Sequence, residues 1–192
     1  VTNFHGSFDL WAVKVDSVGN IQWQTALGGY MFDEPRSLMV TQDGGSLISG
    51  IRSTIGGNIT CTDAQKEIWL VKLDSLGNIV WDRCYGGSGS EQIQSFLPTL
   101  NNGFYAAGLT SSVDGDVSFS HGMTDAWIFK AYSAGNIIWE KTFGGSDWDG
   151  FSSMTFAADN SIVLSGGSRS PEFNFQGGSS DVYVVKIDTA GN

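Results

Sequence analysis

The pattern Asp/Glu-x-Trp-x-Val/Phe-Lys returns along this chain at a nearly constant step. It occurs at residues 9–14, 67–72 and 125–130, and residues 181–186 open a further copy with Tyr183 in place of the tryptophan. Successive copies begin at Asp9, Glu67, Asp125 and Asp181, so the steps are 58, 58 and 56 residues. Trp23, Trp81 and Trp139 keep the same period, as do Gly28-Gly29, Gly86-Gly87 and Gly144-Gly145. A period of this size marks a repeat architecture, in which one unit cannot bury its apolar surface alone and stacks on its neighbours. The repeats are read as 9–66, 67–124 and 125–180. Residues 1–8 end a preceding copy and 181–192 start a following one.

Each copy reads as strands. In 67–74, Trp69, Val71 and Leu73 alternate with Ile68 and Leu70, so both faces of the strand are apolar and both are to be buried. Lys72 can lay its methylenes along the sheet and bring its ammonium to the rim. The turn Asp74-Ser75-Leu76-Gly77-Asn78 follows, then a strand with Ile79 and Trp81, which Gly86-Gly87 breaks. A hairpin completes the copy. Its turns are Asp43-Gly44-Gly45, Asn101-Asn102-Gly103 and Asp159-Asn160-Ser161, signals for a tight reversal. No segment holds a helical period. The prediction is an all-β chain in which each repeat is one four-stranded antiparallel sheet followed by a loop of about a dozen residues. Stacked around an axis, such sheets make a β-propeller. The chain holds roughly 3.3 such units, fewer than a closed ring requires, so a parent of about six to eight copies is expected.

The net charge is −10, with 20 acidic and 10 basic residues. That excludes the clustered Lys and Arg that nucleic acids demand and gives an anionic membrane surface nothing to attract. No apolar run approaches the length of a membrane span. Cys61 and Cys84 occupy non-equivalent repeat positions. Two buried or half-buried thiols are expected, with a disulfide as the alternative in an exported protein.

The string Asp-x-Trp-x-Val-Lys-Leu-Asp-Ser-x-Gly-Asn-Ile-x-Trp, followed by Gly-Gly-Ser and an Asp-Gly-Gly turn, resembles the propeller-type repeats of large secreted Bacteroidetes proteins, which commonly end in a type IX secretion sorting domain. The best copies are 68–88 and 125–146, and the loop 114–122 is also similar to the family's loop before the next blade. The third copy departs, with Ala131-Tyr132-Ser133 in place of Leu-Asp-Ser. The resemblance implies export and an extracellular or outer-membrane surface location. It implies no reaction. A weaker likeness runs to quinoprotein dehydrogenase propellers, but the spacing from Asp74 to Gly77 is one residue shorter and their adjacent cysteine pair is absent.

Residues found in every copy are structural candidates first. Asp33, Glu91 and Asp149 stand four residues after the Gly-Gly pairs and suit acceptance from turn amides and the nearby Ser37, Ser95 and Ser153. His5 and His121 fall in register, each before a glycine, which suits a turn role. Binding candidates lie where copies differ. Trp148, between Asp147 and Asp149, suits a sugar-stacking platform beside two carboxylates, or a cap on the sheet edge. The loops 53–66, 111–124 and 168–180 share one repeat position and carry Phe119, Phe173 and Phe175. Asp114-Gly115-Asp116 is the candidate metal site, since alternate oxygen ligands around a glycine open calcium loops. Calcium is the one cofactor in question; no catalytic constellation is seen. The expected role is a non-catalytic binding or scaffold module for a glycan or protein ligand. The alternative is a polysaccharide hydrolase or lyase completed by further blades.

Overall fold

The computed structural model describes residues 4–54, 56–63, 67–173 and 180–192. These form thirteen strands in four antiparallel sheets and one short 3-10 turn, Pro171–Phe173. None of the described segments is a helix long and apolar enough to cross a membrane. The chain divides into two compact units, Val1–Tyr85 and Gly86–Asn192. The first holds the pair β1 (Leu10–Val15) and β2 (Ile21–Leu27). It also holds the four-stranded sheet β3 (Asp33–Val40), β4 (Ser46–Arg52), β5 (Ile68–Leu73) and β6 (Ile79–Tyr85), ordered as in sequence. The second holds β7 (Glu91–Pro98), β8 (Phe104–Thr110), β9 (Asp125–Ala131) and β10 (Ile137–Phe143) in one sheet, and β11 (Asp149–Phe156), β12 (Ile162–Ser168) and β13 (Asp181–Ile187) in another.

Sheet and repeat are out of phase. One repeat does not make one four-stranded sheet. Each four-stranded sheet takes the hairpin of one repeat and the first two strands of the next, β3-β4 with β5-β6 and β7-β8 with β9-β10. The long loop therefore runs inside a sheet, between its second and third strands. The physical reason is a clasp. Trp69 Nε1 donates to Asp82 Oδ2 at 2.9 Å, and the same carboxylate takes the amide of Thr60 at 2.8 Å and its hydroxyl. Trp127 Nε1 donates to Glu140 Oε2 at 3.0 Å, and Glu140 takes the amide and hydroxyl of Ser118. An outer-strand acid thus ties the loop to the indole of the neighbouring strand.

Within each unit, the sheets stack on apolar faces. Leu10, Ala12 and Leu27 of β1-β2 pack with Ile48, Trp69, Val71 and Leu73 of the four-stranded sheet. In the second unit Tyr105, Ala107, Ala126 and Ile128 meet Phe151, Met154, Ile162, Leu164 and Ile187. Every residue of β5 is buried, as its two apolar faces predict. Each buried apolar side chain of this kind contributes about 1.5–3 kcal/mol.

The turns match expectation. Gly44, Asn102 and Asn160 hold the same hairpin position with φ of 79°, 58° and 63°. A β-bulge at residues 36, 94 and 152 also recurs in register. In the turns after β1, β5 and β13, the aspartates Asp16, Asp74 and Asp188 each accept two backbone amides. Tyr132 replaces that aspartate after β9, yet the backbone bonds persist, with Tyr132 N to Asn136 O at 3.0 Å and Gly135 N to Tyr132 O at 2.9 Å.

The tryptophans of the outer strands are half-buried, not core. Trp23 lies against the turn of the next sheet. Its Nε1 donates to Ser75 O at 3.0 Å, and a Cβ on Gly77 would meet its ring at 2.7 Å. Trp139 stands in the same relation to Gly191, at 3.3 Å. Gly77 has φ of +85° and Gly19 has φ of +91°, but nothing lies within 4 Å of a Cβ on Gly19. We therefore expect Gly19→Ala to cost only the left-handed backbone term, about 1–2 kcal/mol. Gly77→Ala should cost at least about 1 kcal/mol more, because the indole must shift. Urea unfolding of both variants checks this, and equal losses would remove Trp23 from the argument.

Lys72 is buried, as its stem along the sheet requires, and its ammonium sits 2.9 Å from Asp43 in the hairpin turn. Lys186 repeats this with Asp159 at 2.7 Å. The intervening hairpin has Asn101 in place of the acid, and Lys130 there lies 5.2 Å over the Tyr105 ring. The Thr41 hydroxyl first, and then Lys72, hold the Asp43 carboxyl down to about 2 from an ordinary 3.8. Its folded pKa is therefore depressed. The stability it adds is present above about pH 4 and is lost as pH falls toward about 2. Asp43→Asn should lower stability at neutral pH and flatten that acid limb, read from melting temperature against pH.

Candidate functional site

The Gly-Gly turns gather most of the side chains that could carry chemistry. Each turn leaves a row of backbone N–H groups that need acceptors. In the first copy Asn58 Oδ1 takes Gly28 N at 2.9 Å, Asp33 Oδ2 takes Gly29 N at 2.6 Å, and Thr54 Oγ1 takes Tyr30 N at 3.2 Å. In the second, Asp116 takes Gly86 N at 3.1 Å, Glu91 takes Gly87 N at 3.2 Å, and Asp114 takes Ser88 N at 2.7 Å. In the third, Asp149 takes Gly145 N at 2.8 Å and Glu172 takes Ser146 N at 3.3 Å.

This accounts for Asp33, Glu91 and Asp149 as amide acceptors. Their hydroxyl partners are not Ser37, Ser95 and Ser153, which lie across the bulge. Thr110 and Ser112 donate to Glu91 at 2.7 and 2.6 Å, and Ser170 donates to Asp149 at 2.7 Å. All three acids are fully buried. Burial pushes the Asp33 carboxyl up, against the amides of Gly29 and Ser53, with the nearby charge of Asp9 adding to the rise.

Asp114 and Asp116 both serve the second Gly-Gly turn. Each carboxylate spends an oxygen on a turn amide, and the Ser88 amide holds Asp114 below the usual carboxylate range. Asp116 is the repeat counterpart of Asn58. Among the described residues no three His, Cys, Asp or Glu side chains gather as a metal ligand set.

Trp148 is half-buried. Its ring lies 3.2 Å from a Cβ position on Gly150 and 3.3 Å from one on Gly167, and the Arg169 guanidinium stacks at 5.6 Å. The two glycines let the indole lie on the sheet edge. It does not sit between two open carboxylates, because Asp149 turns inward and is buried. Thr124 pairs with Trp148 as an isolated bridge, so the loop after β8 runs beside this turn. On that loop Phe119 is 59% exposed, edge-on to His121 at 4.8 Å, and its carbonyl accepts the Thr142 hydroxyl at 3.0 Å. Phe119 and Trp148 therefore belong to adjoining segments, the loop after β8 and the turn before β11. Phe175 and the side chain of Phe173 lie outside the described residues.

Cys61 and Cys84 are joined in a disulfide, contrary to the expectation of two thiols. The repeat explains why they meet. Cys61 and Cys84 are the counterparts of Phe119 and Thr142, which make the same loop-to-strand tie by a hydrogen bond. Arg52 Nε donates to Cys84 Sγ at 3.0 Å, and its other arm bonds the carbonyl of Asp63. Sequence reading had this signal in the register of Thr142. It missed the buried acids Asp9 and Asp125, because first-strand acids look like ordinary rim residues.

No family model matches the chain, and no curated protein matches it. Among solved structures, a protein of unknown function from Bacteroides caccae is similar, with a TM-score of 0.46 and 10% identity over 94% of this chain and 54% of that one. The chain spans about half the length of that protein.

Breaking the disulfide by Cys61→Ala with Cys84→Ala should cost about 3 kcal/mol, the value for closing a loop of this size. Denaturant unfolding with and without reductant checks it, since the double variant should lose all sensitivity to reductant.

Proposed function

We propose that the chain is a non-catalytic binding and scaffold module, part of a β-propeller in a larger exported or cell-surface protein. The propeller reading is supported by sheets that recur at a near-constant step and stack on apolar faces within each unit. The observation that carries the binding reading is how the acids are used. Asp33, Glu91, Asp114, Asp116 and Glu172 are taken up by turn amides, while Phe119 and Trp148 lie on adjoining segments that differ between copies, and in this reading those segments form the binding rim. A disulfide suits an oxidising compartment. A half-buried indole beside an arginine suits the face of a sugar ring.

Electrophoresis of the chain through gels cast with xylan, mannan or pectin tests this. Retardation by one polysaccharide is expected, and Trp148→Ala with Phe119→Ala should weaken it roughly tenfold, the loss of about one stacking contact. Release of reducing ends in the same incubations would instead point to a polysaccharide hydrolase or lyase. Retardation unchanged by the double variant would move the binding surface off this rim.

A further inference from the structure

Two buried aspartates flank the third Gly-Gly turn, and among the described residues no Lys or Arg forms an ion pair with either. Asp125 of β9 and Asp149 of β11 are both 0% exposed. A Cβ on Gly144 would meet Oδ1 of Asp125 and, at 2.7 Å, Oδ2 of Asp149. One oxygen of each acid is engaged. His121 N donates to Asp125 Oδ2 at 2.8 Å, while Gly145 N at 2.8 Å and Ser170 Oγ at 2.7 Å serve Asp149 Oδ2. The other oxygen, Oδ1 in both, is buried without a hydrogen-bond partner. His121 Nδ1 lies 3.7 Å from Asp125 Oδ1, beyond hydrogen-bond reach.

The first copy shows what is missing. There Asp9 and Asp33 flank Gly28, at 2.7 and 2.6 Å from a Cβ position, and His5 stands where His121 does. Asp33, opposite Arg52 in the ladder, is satisfied by amides: its Oδ1 accepts Ser53 N at 3.2 Å, so that only Asp9 Oδ1 is left without a partner there. In the third copy Ser168 takes the arginine's place opposite Asp149. Arg169, its neighbour in sequence, is over the Trp148 ring. The second copy needs no cation opposite Glu91, because Thr110 and Ser112 supply hydroxyls to its remaining oxygen. Two buried carboxylates, each with an unpartnered oxygen, cost several kcal/mol each unless a positive charge or a donor joins them.

We propose that Asp125 and Asp149 hold one hard cation of the calcium class under the Gly144-Gly145 turn. Two carboxylate oxygens match a divalent charge, and such ions complete their shell with backbone carbonyls and water. This site lies at the third Gly-Gly turn, whereas Asp114 and Asp116 serve the second.

The test uses the full chain, stripped with chelator at neutral pH and then given Ca2+, Mg2+ or Na+. Ca2+ in large excess over its Kd should raise the melting temperature by roughly 5–10 °C, and calorimetric titration of the wild type should show saturable binding. Asp125→Asn and Asp149→Asn should each remove the rise. No response of the wild type to any of the three ions overturns the proposal. So does a rise that survives both asparagine variants, or one lost only in Asp114→Ala with Asp116→Ala.

Discussion

A carboxylate held between an indole N–H and a loop hydroxyl decides which strands of this chain share a sheet. Asp82 and Glu140 play that part, each on the outer strand of a four-stranded sheet and each reaching both the tryptophan of the neighbouring strand and the loop behind it. Without an acceptor there, a fully buried indole would leave its N–H unpaired, at a cost of about 1–3 kcal/mol. The loop before the strand would also have no anchor. The clasp lets a long connection return to the sheet that its own hairpin began. In β1-β2, Gln24 takes the acid's position and Trp11 still donates to it, at 3.2 Å. The indole's need for an acceptor is therefore met in all three copies that carry the tryptophan.

The alternation of apolar residues and the turn chemistry were enough to place the strands and their reversals. Gly44, Asn102 and Asn160 announce the hairpins because few residues tolerate a left-handed backbone at that point. The phase of sheet against repeat was not legible. Repeat counting is indifferent to where a unit is cut, and the bonds that settle the cut join residues over 20 positions apart, such as Thr60 to Asp82. The disulfide was hidden for a related reason. Its two positions are not equivalent to each other; each is equivalent to one partner of the Phe119–Thr142 tie.

The copies differ in a compensated way. Where the hairpin carries Asp43 or Asp159, the strand lysine pairs with it; where Asn101 stands instead, Lys130 moves over a tyrosine ring. Where the covalent tie is absent, a threonine hydroxyl replaces it. The turn at Tyr132 loses its aspartate and keeps its backbone bonds, because Gly135 supplies the positive φ of 87° that sets the reversal. Each exchange keeps one geometry while changing the group that enforces it. That is how a repeat can vary in sequence without altering its stacking.

Against this background, an uncompensated exchange is informative. Arg52, Thr110 and Ser168 occupy one position on successive hairpins, each opposite a buried acid. In the first copy the Ser53 amide serves Asp33 Oδ1 at 3.2 Å and in the second Thr110 supplies a hydroxyl at 2.7 Å, but in the third Asp149 Oδ1 is left without a partner. The Ser168 hydroxyl accepts the Ser170 amide at 3.2 Å, and the Ser170 hydroxyl already serves the other oxygen of Asp149. Asp125 faces the same turn with its own Oδ1 unpartnered. Asp9 Oδ1 in the first copy is likewise without a partner, so the first-strand acid is short of one in both copies, and what the third copy adds is a second bare oxygen, on Asp149.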